Sequence, residues 1–257
     1  MTLRRGTVAK DTLASTSPGV ISVHVWSAEV AQHAPHEATL RLELDHEERA
    51  RADRFHFERD RTQYVVAHGL LRRLLGAYVD RPGSQLRFVA GPYGKPELVT
   101  QHQEGGAVSF SLSHSGGRIV IAVADGTAVG VDVERWSDDI VYDELAQTCF
   151  SPAERAVLAG LPAERKQRAF FAAWSRKEAY IKALGVGITS GLEYFDVSLA
   201  PGEPARLLDD RLAPGTAAGW AMEDLGFDDG YSGAVVVRAA ACAVEHRELT
   251  PNAQVVP

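Results

Sequence analysis

The order of predicted helices and strands repeats along the chain, and this repeat restricts the possible folds more than any other feature. HEERA at 46–50 resembles PAERA at 152–156, and LLG ending at Gly76 matches ALG ending at Gly185. Each series runs strand, helix, helix, strand, strand. We therefore predict an α+β fold of two similar halves with a site at their junction. Many unduplicated α+β domains share this order, so a coincidental repeat stays open as an alternative.

The 257 residues are enough for one large domain or two smaller ones. We assign residues 21–127 to an N-terminal half and residues 128–247 to a C-terminal half. Residues 1–20 carry positive charge but no apolar stretch, which predicts a disordered leader and not a signal peptide. The segment 248–257 is expected to be a flexible tail.

Hydrophobic periodicity and turn residues predict the individual elements. The predicted strands are 21–26, 86–90, 107–115, 117–124, 128–136, 194–200, 219–225 and 231–240, and the predicted helices are 44–55, 59–78, 151–161 and about 162–184. Ser151 is expected to cap the third helix, with Pro152 at its first position.

Charge and composition exclude several classes of function. The net charge is −7 and no long basic block is present, so nucleic acid is not an expected partner. No apolar run has the roughly 18 residues that a membrane span needs. Cys149 and Cys242 lack metal-ligand or redox spacing, which favours free thiols and a cytoplasmic location. There is no reason to expect oligomerisation, so we expect a monomer.

The segment GVDVE predicts a strand with two carboxylates on one face. Side chains alternate along a strand, so Asp132 and Glu134 share a face while the valines occupy the other. Their backbones are about 6–7 Å apart, and both side chains can converge on a hard cation such as Mg²⁺. A solvated strand face is the simpler interpretation of this motif alone.

The helix in WSRKEAYIK carries charge where its apolar stripe should continue. Lys177 interrupts a stripe that contains Trp174 and Ile181, and Glu178 and Lys182 stand four residues apart in the favourable order. A surface ion pair is one interpretation. The other is that Glu178 joins Asp132 and Glu134 in an anionic cluster that needs a cation.

Two further polar segments are candidates for anion binding. FSLSHS places Ser113 and His114 at a strand end, and GPYGKP presents Lys95 on a turn fixed by proline and glycine. Both sets can donate hydrogen bonds to phosphate oxygens. A structural histidine and a solvated loop tip are the alternatives. No Walker A, GxGxxG or GxSxG motif is present.

Taken together, GPYGKPEL, FSLSHS, GVDVE and WSRKEAYIK resemble, in order and spacing, the motifs of the Sfp-type 4′-phosphopantetheinyl transferases. The resemblance covers about residues 45 to 200. Trp174 and Ala179 are similar to the WxxKEA subgroup, which tends to serve secondary-metabolite synthases. Ser111 departs from the family, in which many members have Asn. The arginine-rich region before Arg72 is only loosely matched.

The resemblance implies a pseudo-two-fold duplicated fold with the active site between two similar halves. Such an enzyme moves the 4′-phosphopantetheine arm of coenzyme A to a serine of an apo acyl or peptidyl carrier protein of polyketide, nonribosomal peptide or fatty acid synthesis. It releases adenosine 3′,5′-bisphosphate. The co-substrate is then coenzyme A, the cofactor is Mg²⁺, and the partners are carrier domains.

The resemblance also implies roles for individual residues. Asp132, Glu134 and Glu178 match the Mg²⁺ cluster, and Glu154 matches a glutamate near the attacking serine. Since Mg²⁺ usually takes one or two protein carboxylates, we predict that one carboxylate acts through water or as general base. Glu178 and Glu154 are the candidates. Lys177 and Glu178 are expected to face the metal–phosphate site, with contact of Lys177 to ligand left open.

Coenzyme A contacts are implied for five positions. Lys95, Ser113 and His114 match residues at the phosphates, Arg72 matches a helix arginine near the 3′-phosphate, and Lys182 matches a lysine at the pyrophosphate. We keep Lys182 among the catalytic candidates because it would stabilise charge during an in-line attack.

Two other functions remain open at this point. A Mg²⁺-dependent phosphohydrolase could use the same carboxylates, and a non-catalytic scaffold could bind coenzyme A or carrier proteins. An acidic carrier domain would be repelled at long range by the negative net charge, so docking is expected to use a local apolar or basic patch.

Overall fold

The computed structural model describes residues 20–99, 108–138, 141–187, 191–200, 202–227 and 230–251. The strands are β1 (Val20–Glu29), β2 (Phe88–Ala90), β3 (Pro96–Leu98), β4 (Val108–Ser115), β5 (Arg118–Asp125), β6 (Val129–Arg135), β7 (Phe195–Val197), β8 (Leu207–Asp210), β9 (Ala221–Asp224), β10 (Tyr231–Val237) and β11 (Ala241–Glu248). The α-helices are α1 (Val30–His33), α2 (Glu37–Arg41), α3 (His46–Ala52), α4 (Glu58–Val79), α5 (Tyr142–Cys149), α6 (Pro152–Gly160) and α7 (Ala163–Leu184).

The molecule is built in four layers, with two sheets between two long helices. The first sheet has the strand order β11-β1-β5-β4, and the second has the order β6-β10-β9. Both faces of the central strands are covered. Alternate side chains of GVDVE therefore lie in different layers, as the predicted alternation requires. Val131 and Val133 of β6 pack in a central core with Val23 and Val25 of β1. The opposite faces of the two sheets contribute to the separate cores that contain α4 and α7.

The two long helices correspond to each other, and both confirm the periodicity of the sequence. Helices α4 and α7 each contain 22 residues. The C-cap residue of α4 is Asp80 and that of α7 is Gly185, both in the left-handed region that ends helices. Each long helix follows a shorter helix with a capping box, α3 in the first half and α6 in the second. Ser151 caps α6 as predicted, with Pro152 at its first position.

Gly130 allows α7 to lie directly against β6. A Cβ atom at this position would be 2.0 Å from the carbonyl oxygen of Ala179 and 2.4 Å from the amide nitrogen of Ala183. Both are backbone atoms that cannot move away without shifting the helix. The glycine in GVDVE therefore sets the distance between the strand that carries Asp132 and the helix that carries Glu178.

The last described strand differs from the sequence prediction. Strand β11 was missed, and it pairs in parallel with β1, from Val20 with Ala241 to Ser27 with Glu248. Leu249 is buried in the core under α4, and its carbonyl oxygen lies 2.8 Å from His33 Nε2. Residues 248–251 are thus not a flexible tail, and the rest of that segment lies outside the described residues, as do residues 1–19 of the predicted leader. Among the described helices, none combines the length and apolar character that a membrane span requires.

Candidate active site

Serine hydroxyls join the two sheets where β4 and β6 run side by side. Three hydroxyls on one face of β4 accept hydrogen bonds from alternate amides of β6: Ser111 from Val131 at 3.1 Å, Ser113 from Val133 at 3.4 Å and Ser115 from Arg135 at 3.1 Å. We call this set the serine seam. Side chains here replace the backbone ladder that would otherwise pair two neighbouring strands. The spacing of two in FSLSHS follows from that geometry.

The serine seam also anchors the two carboxylates predicted on β6. Ser113 Oγ donates to Asp132 Oδ1 at 2.9 Å, and Ser115 Oγ donates to Glu134 Oε2 at 2.9 Å. Lys182 reaches from α7 to the same place, with Nζ 2.7 Å from Asp132 Oδ1 and 2.9 Å from Ser113 Oγ. Side chains from β4 of the first half and from α7 therefore meet at Asp132 of β6.

Two carboxylate oxygens at this point have no hydrogen-bond partner among the described residues. Asp132 Oδ2 and Glu178 Oε1 are both buried, and neither makes a hydrogen bond within the described residues. Burial raises the pKa of Glu178 to about 7, and the negative charge of Asp132 adds to the shift. Burial also raises the pKa of Glu134, again with a contribution from Asp132. Buried oxygens of this kind cost free energy unless a cation or proton meets them.

The donor set suits a hard cation that keeps several non-protein ligands. In the described part of the chain, no three Asp, Glu, His or Cys side chains are arranged to hold a metal ion by themselves. The predicted trio of Asp132, Glu134 and Glu178 therefore does not form a complete protein cage. Mg²⁺ needs only one or two protein carboxylates, with phosphate oxygens and water completing its octahedron. The open oxygens of Asp132 and Glu178 fit that requirement.

Two adjoining cavities lie around these groups. One has a volume of about 400 Å³ and is lined by the carboxylates of Asp132, Glu134 and Glu178 together with Trp174. The other, which we call the aromatic cavity, has a volume of about 510 Å³ and is lined by aromatic, turn and acidic residues. Its wall includes Phe88, Tyr93, Lys95, Phe110 and Gly185, and the sides come from both halves.

The two cavities adjoin each other, because Lys182 and His68 line both of them. A long ligand could therefore extend from the aromatic cavity to the carboxylates.

Lys95, which the GPYGKP turn presents, lines the aromatic cavity and is not a fully solvated loop tip. Its Nζ donates to the carbonyl oxygen of Val129 at 2.7 Å, and its aliphatic stem is 3.6 Å from the position of a Cβ on Gly185. Burial lowers the pKa of Lys95 to about 8. The half-buried ammonium group can still donate its remaining N–H groups to an anionic ligand.

His114 lines the smaller cavity and is held by a residue that the sequence did not single out. Its Nδ1 lies 2.8 Å from Gln63 Nε2 of α4. Because the Gln63 amide donates, Nδ1 accepts and the proton of the neutral ring is on Nε2. Desolvation lowers the pKa of His114, and the nearby His68 lowers it further.

Glu154 and Lys177 do not lie at this site, which corrects both predictions. The two side chains are 2% and 0% exposed. Lys177 Nζ is 2.8 Å from Glu154 Oε2 and also donates to the carbonyl oxygens of Leu192 and Phe195. Glu154 Oε1 accepts from the amide of Val197 at 2.8 Å. All three ammonium protons have partners, so Lys177 breaks the apolar stripe to join α6, α7 and β7.

Arg72 has the same structural role in the first half, which corrects its predicted contact with a phosphate. Its guanidinium is 0% exposed and pairs with Asp45 and with Glu48, the latter at 2.5 Å. It also donates to the carbonyl oxygens of Gly83 and Leu86. Each half thus has a buried cation on its long helix that binds the capping-box glutamate and the carbonyls after that helix. The duplication explains both pairs.

The comparisons with known proteins agree with this architecture. A sequence model of a protein family, described as the 4′-phosphopantetheinyl transferase superfamily, matches residues 128–236. A model of the N-terminal region of 4′-phosphopantetheinyl transferases matches residues 26–126. The two matched regions together extend from β1 to β10.

Curated relatives belong to the same family. Over 215 residues the chain is 36% identical to the 4′-phosphopantetheinyl transferase HetI of Nostoc sp., covering 84% of this chain and 87% of the relative. It is 36% identical to the transferase psf-1 of Bacillus pumilus, covering 79% of this chain and 82% of the relative. With Sfp of Bacillus subtilis the identity is 30%, covering 60% of this chain and 65% of the relative. This chain therefore belongs to the 4′-phosphopantetheinyl transferase superfamily and is an enzyme of the Sfp type.

Proposed function

We propose that this enzyme transfers the 4′-phosphopantetheine arm of coenzyme A to a serine of an acyl or peptidyl carrier domain. The observation that carries the proposal is the pair of open, buried oxygens of Asp132 and Glu178 beside the ammonium group of Lys182. A divalent cation that arrives at this point with a diphosphate would offset the negative charge at both oxygens. The adjoining aromatic cavity is large enough for part of a nucleotide.

Coenzyme A would lie across both cavities. The adenine end suits the aromatic cavity, where Phe88, Tyr93 and Phe110 supply apolar surface. Lys95 and His114 would donate to phosphate oxygens, and Lys182 would bridge Asp132 to the pyrophosphate. Ser113 holds Asp132 and Lys182 in place through its hydroxyl.

The transfer requires a base for the serine of the carrier domain. Its hydroxyl oxygen attacks the phosphorus next to the pantetheine arm, and a new P–O bond forms. The bond from that phosphorus to the bridging oxygen breaks, and adenosine 3′,5′-bisphosphate leaves with this oxygen. The serine proton goes to the carboxylate of Glu178, whose buried Oε1 has no hydrogen-bond partner among the described residues and is open to accept it. Glu154 is excluded from this role because its oxygens are occupied in the core.

Asp132 and Glu134 would hold Mg²⁺, with Glu178 reaching it through water. The bound ion would supply charge neutralisation at the diphosphate. Lys182 would add a fixed positive charge on the same side, which stabilises the charge that develops on the leaving oxygen.

The test is the intact mass of an apo carrier protein after incubation with this enzyme, coenzyme A and Mg²⁺. We expect the mass to rise by one phosphopantetheine, and we expect the gain to be lost with EDTA and with Asp132→Ala. No gain across several carriers, with coenzyme A still bound, would favour a binding scaffold. No gain with coenzyme A degraded would favour a phosphohydrolase.

Docking of the carrier is proposed to use a local patch because the net charge of −7 repels an acidic domain. The transfer rate measured at low and high salt separates two kinds of patch. A rate that falls strongly with salt indicates a basic surface, and an unchanged rate indicates an apolar one.

A further inference from the structure

We propose that His68 is an additional phosphate-binding residue of this enzyme and that Glu48 orients its ring. The inference rests on the proposed binding of coenzyme A. The ligand group would be an oxygen of either the pyrophosphate or the 3′-phosphate, since the two share the same chemistry.

The position of His68 makes it accessible to a ligand that crosses the site. Its side chain is 25% exposed and lines both the aromatic cavity and the carboxylate cavity. The ring lies against Tyr64, with 4.1 Å between the ring centroids, so its plane is restrained. Within the described residues Nε2 makes no hydrogen bond. A fixed imidazole with an open nitrogen at the boundary of two cavities is suited to donate to an anion.

Glu48 determines which nitrogen remains open. Its Oε1 lies 3.5 Å from His68 Nδ1, and its Oε2 is held at 2.5 Å by the buried Arg72. The carboxylate also accepts from the amide of Asp45 at 3.1 Å in the capping box. A carboxylate held by Arg72 and by the amide of Asp45 keeps its orientation. With this carboxylate at Nδ1, a phosphate oxygen at Nε2 would place one anionic group at each ring nitrogen, an arrangement in which an imidazole with both N–H groups donates to both.

The duplicated half provides an internal comparison for this pair. Glu154 is the capping-box counterpart of Glu48, but its second oxygen is used by the amide of Val197 in the core. At the position in α7 that corresponds to His68, counted from Lys177 as the counterpart of Arg72, stands Ala173. Ala173 is completely buried. The fold therefore builds the glutamate–cation pair without a histidine, and His68 is an addition found only where the cavities are.

The charge of the cavity walls supports a role for His68 in binding an anionic ligand. Asp45, Glu47 and Glu48 line the aromatic cavity, whereas its only described cationic side chains are Lys95 and Lys182. A ligand with four negative charges near this wall would be repelled by the carboxylates. The ring of His68, placed between Glu48 and the ligand, would replace the nearest repulsion with a bridged contact.

The experiment measures binding of coenzyme A and of dephospho-coenzyme A by calorimetry, with Mg²⁺ present. The variants are His68→Ala, His68→Gln and Glu48→Gln, with His36→Ala on the exposed surface as control. Thermal unfolding of each variant checks the fold. We expect the Kd for coenzyme A to rise about tenfold in His68→Ala, as loss of a charge-assisted hydrogen bond predicts. We expect about a threefold rise in Glu48→Gln and less than twofold in the control.

Comparing the binding of the two ligands identifies which phosphate group His68 contacts. If His68→Ala weakens coenzyme A but not dephospho-coenzyme A, the contact is to the 3′-phosphate. Equal weakening of both places it at the pyrophosphate. A Kd for coenzyme A within twofold of wild type in folded His68→Ala overturns the proposal, and if that variant does not fold, the same limit applies to His68→Gln. Failure of the proposed transferase function appears separately, as absence of carrier modification by the wild-type enzyme.

Discussion

The hydroxyl of Ser113 and the carboxylate of Asp132 are 2.9 Å apart although they belong to different halves of the molecule. The contact links β4 of the first half to β6 of the second half. Lys182 of α7 joins the same pair. The position of the main carboxylate therefore depends on how the two halves are aligned, and changes along the serine seam are expected to alter both stability and activity.

Loss of a seam hydroxyl should cost stability. Ser111→Ala leaves the amide of Val131 without its acceptor in a buried position, so we expect the free energy of unfolding to fall by about 1–2 kcal/mol. Urea denaturation measures this value. Ser109→Ala is the matched control on the same face of β4, because Ser109 has no hydrogen bond to β6 in the described structure, and it should change stability by less than about 0.5 kcal/mol. Equal effects of the two variants would contradict the role of the seam.

Gly130→Ala should disrupt the contact between β6 and α7. The new methyl group would overlap the backbone at Ala179 and Ala183, so we expect a loss of about 3 kcal/mol or more in unfolding free energy. Thermal unfolding is the measurement. Gly219→Ala has free space around its Cβ and serves as control. Normal stability of Gly130→Ala would mean that α7 does not lie where the structure has it.

Asp132→Asn should remove activity without removing the fold. The amide keeps the size of the carboxylate but loses the charge that faces Lys182 and the proposed cation. We expect kcat/KM for carrier modification to fall by about 100-fold or more. The exposed Asp143→Asn is the control for the chemical change itself. Activity of Asp132→Asn within tenfold of wild type would exclude Asp132 from the reaction.

Glu178 should make the metal-free protein less stable as the pH rises. Its pKa in the folded protein is about 7, above the ordinary 4.5, so the folded state binds more protons than the unfolded state between these values. Stability from this group is complete below about pH 4.5 and is lost as the pH rises through about 7, by about 3 kcal/mol in total. Urea midpoints in EDTA at several pH values measure the slope.

The control for that slope is Glu178→Gln, which has no proton to lose. Its stability should be flatter across the same pH range than that of the wild type. Added Mg²⁺ should raise the stability of the wild type at pH 8 more than that of Glu178→Gln, because a ligand stabilises only the state that binds it. Identical pH profiles of the two proteins would rule out the proposed titration.

Breaking the buried pair of Lys177 and Glu154 should be more harmful than removing both charges. Lys177→Met leaves a buried carboxylate, so we expect a loss of about 3–5 kcal/mol in unfolding free energy. The double variant Lys177→Met/Glu154→Gln should recover part of this loss. A single variant as stable as the wild type would show that Glu154 is not held by Lys177.

Local patterns predicted much of the fold and the central part of the site. The alternation in GVDVE placed Asp132 and Glu134 on one face, and the helical spacing in WSRKEAYIK placed Glu178 and Lys182 on another. These residues meet because Gly130 brings strand and helix together. Periodicity was sufficient to predict these faces because each pattern depends on a single strand or helix.

The contacts between distant elements could not be predicted in this way. Nothing local indicates that β4 lies beside β6, so the partners of the serine hydroxyls were missed, as was Gln63 beside His114. The capping motifs around Glu48 and Glu154 could have been used to predict the roles of the cations on the long helices. Both recur before the long helices, and a buried cation follows each at a similar distance. That regularity would have indicated a structural role for Arg72 and Lys177.

The parallel pairing of β11 with β1 affects how the chain reaches its native state. The first sheet takes an outer strand from residues that lie more than two hundred positions later than β1. During synthesis, the edge of β1 stays open until the second half has left the ribosome. The first sheet is thus completed only after β11 has been synthesised.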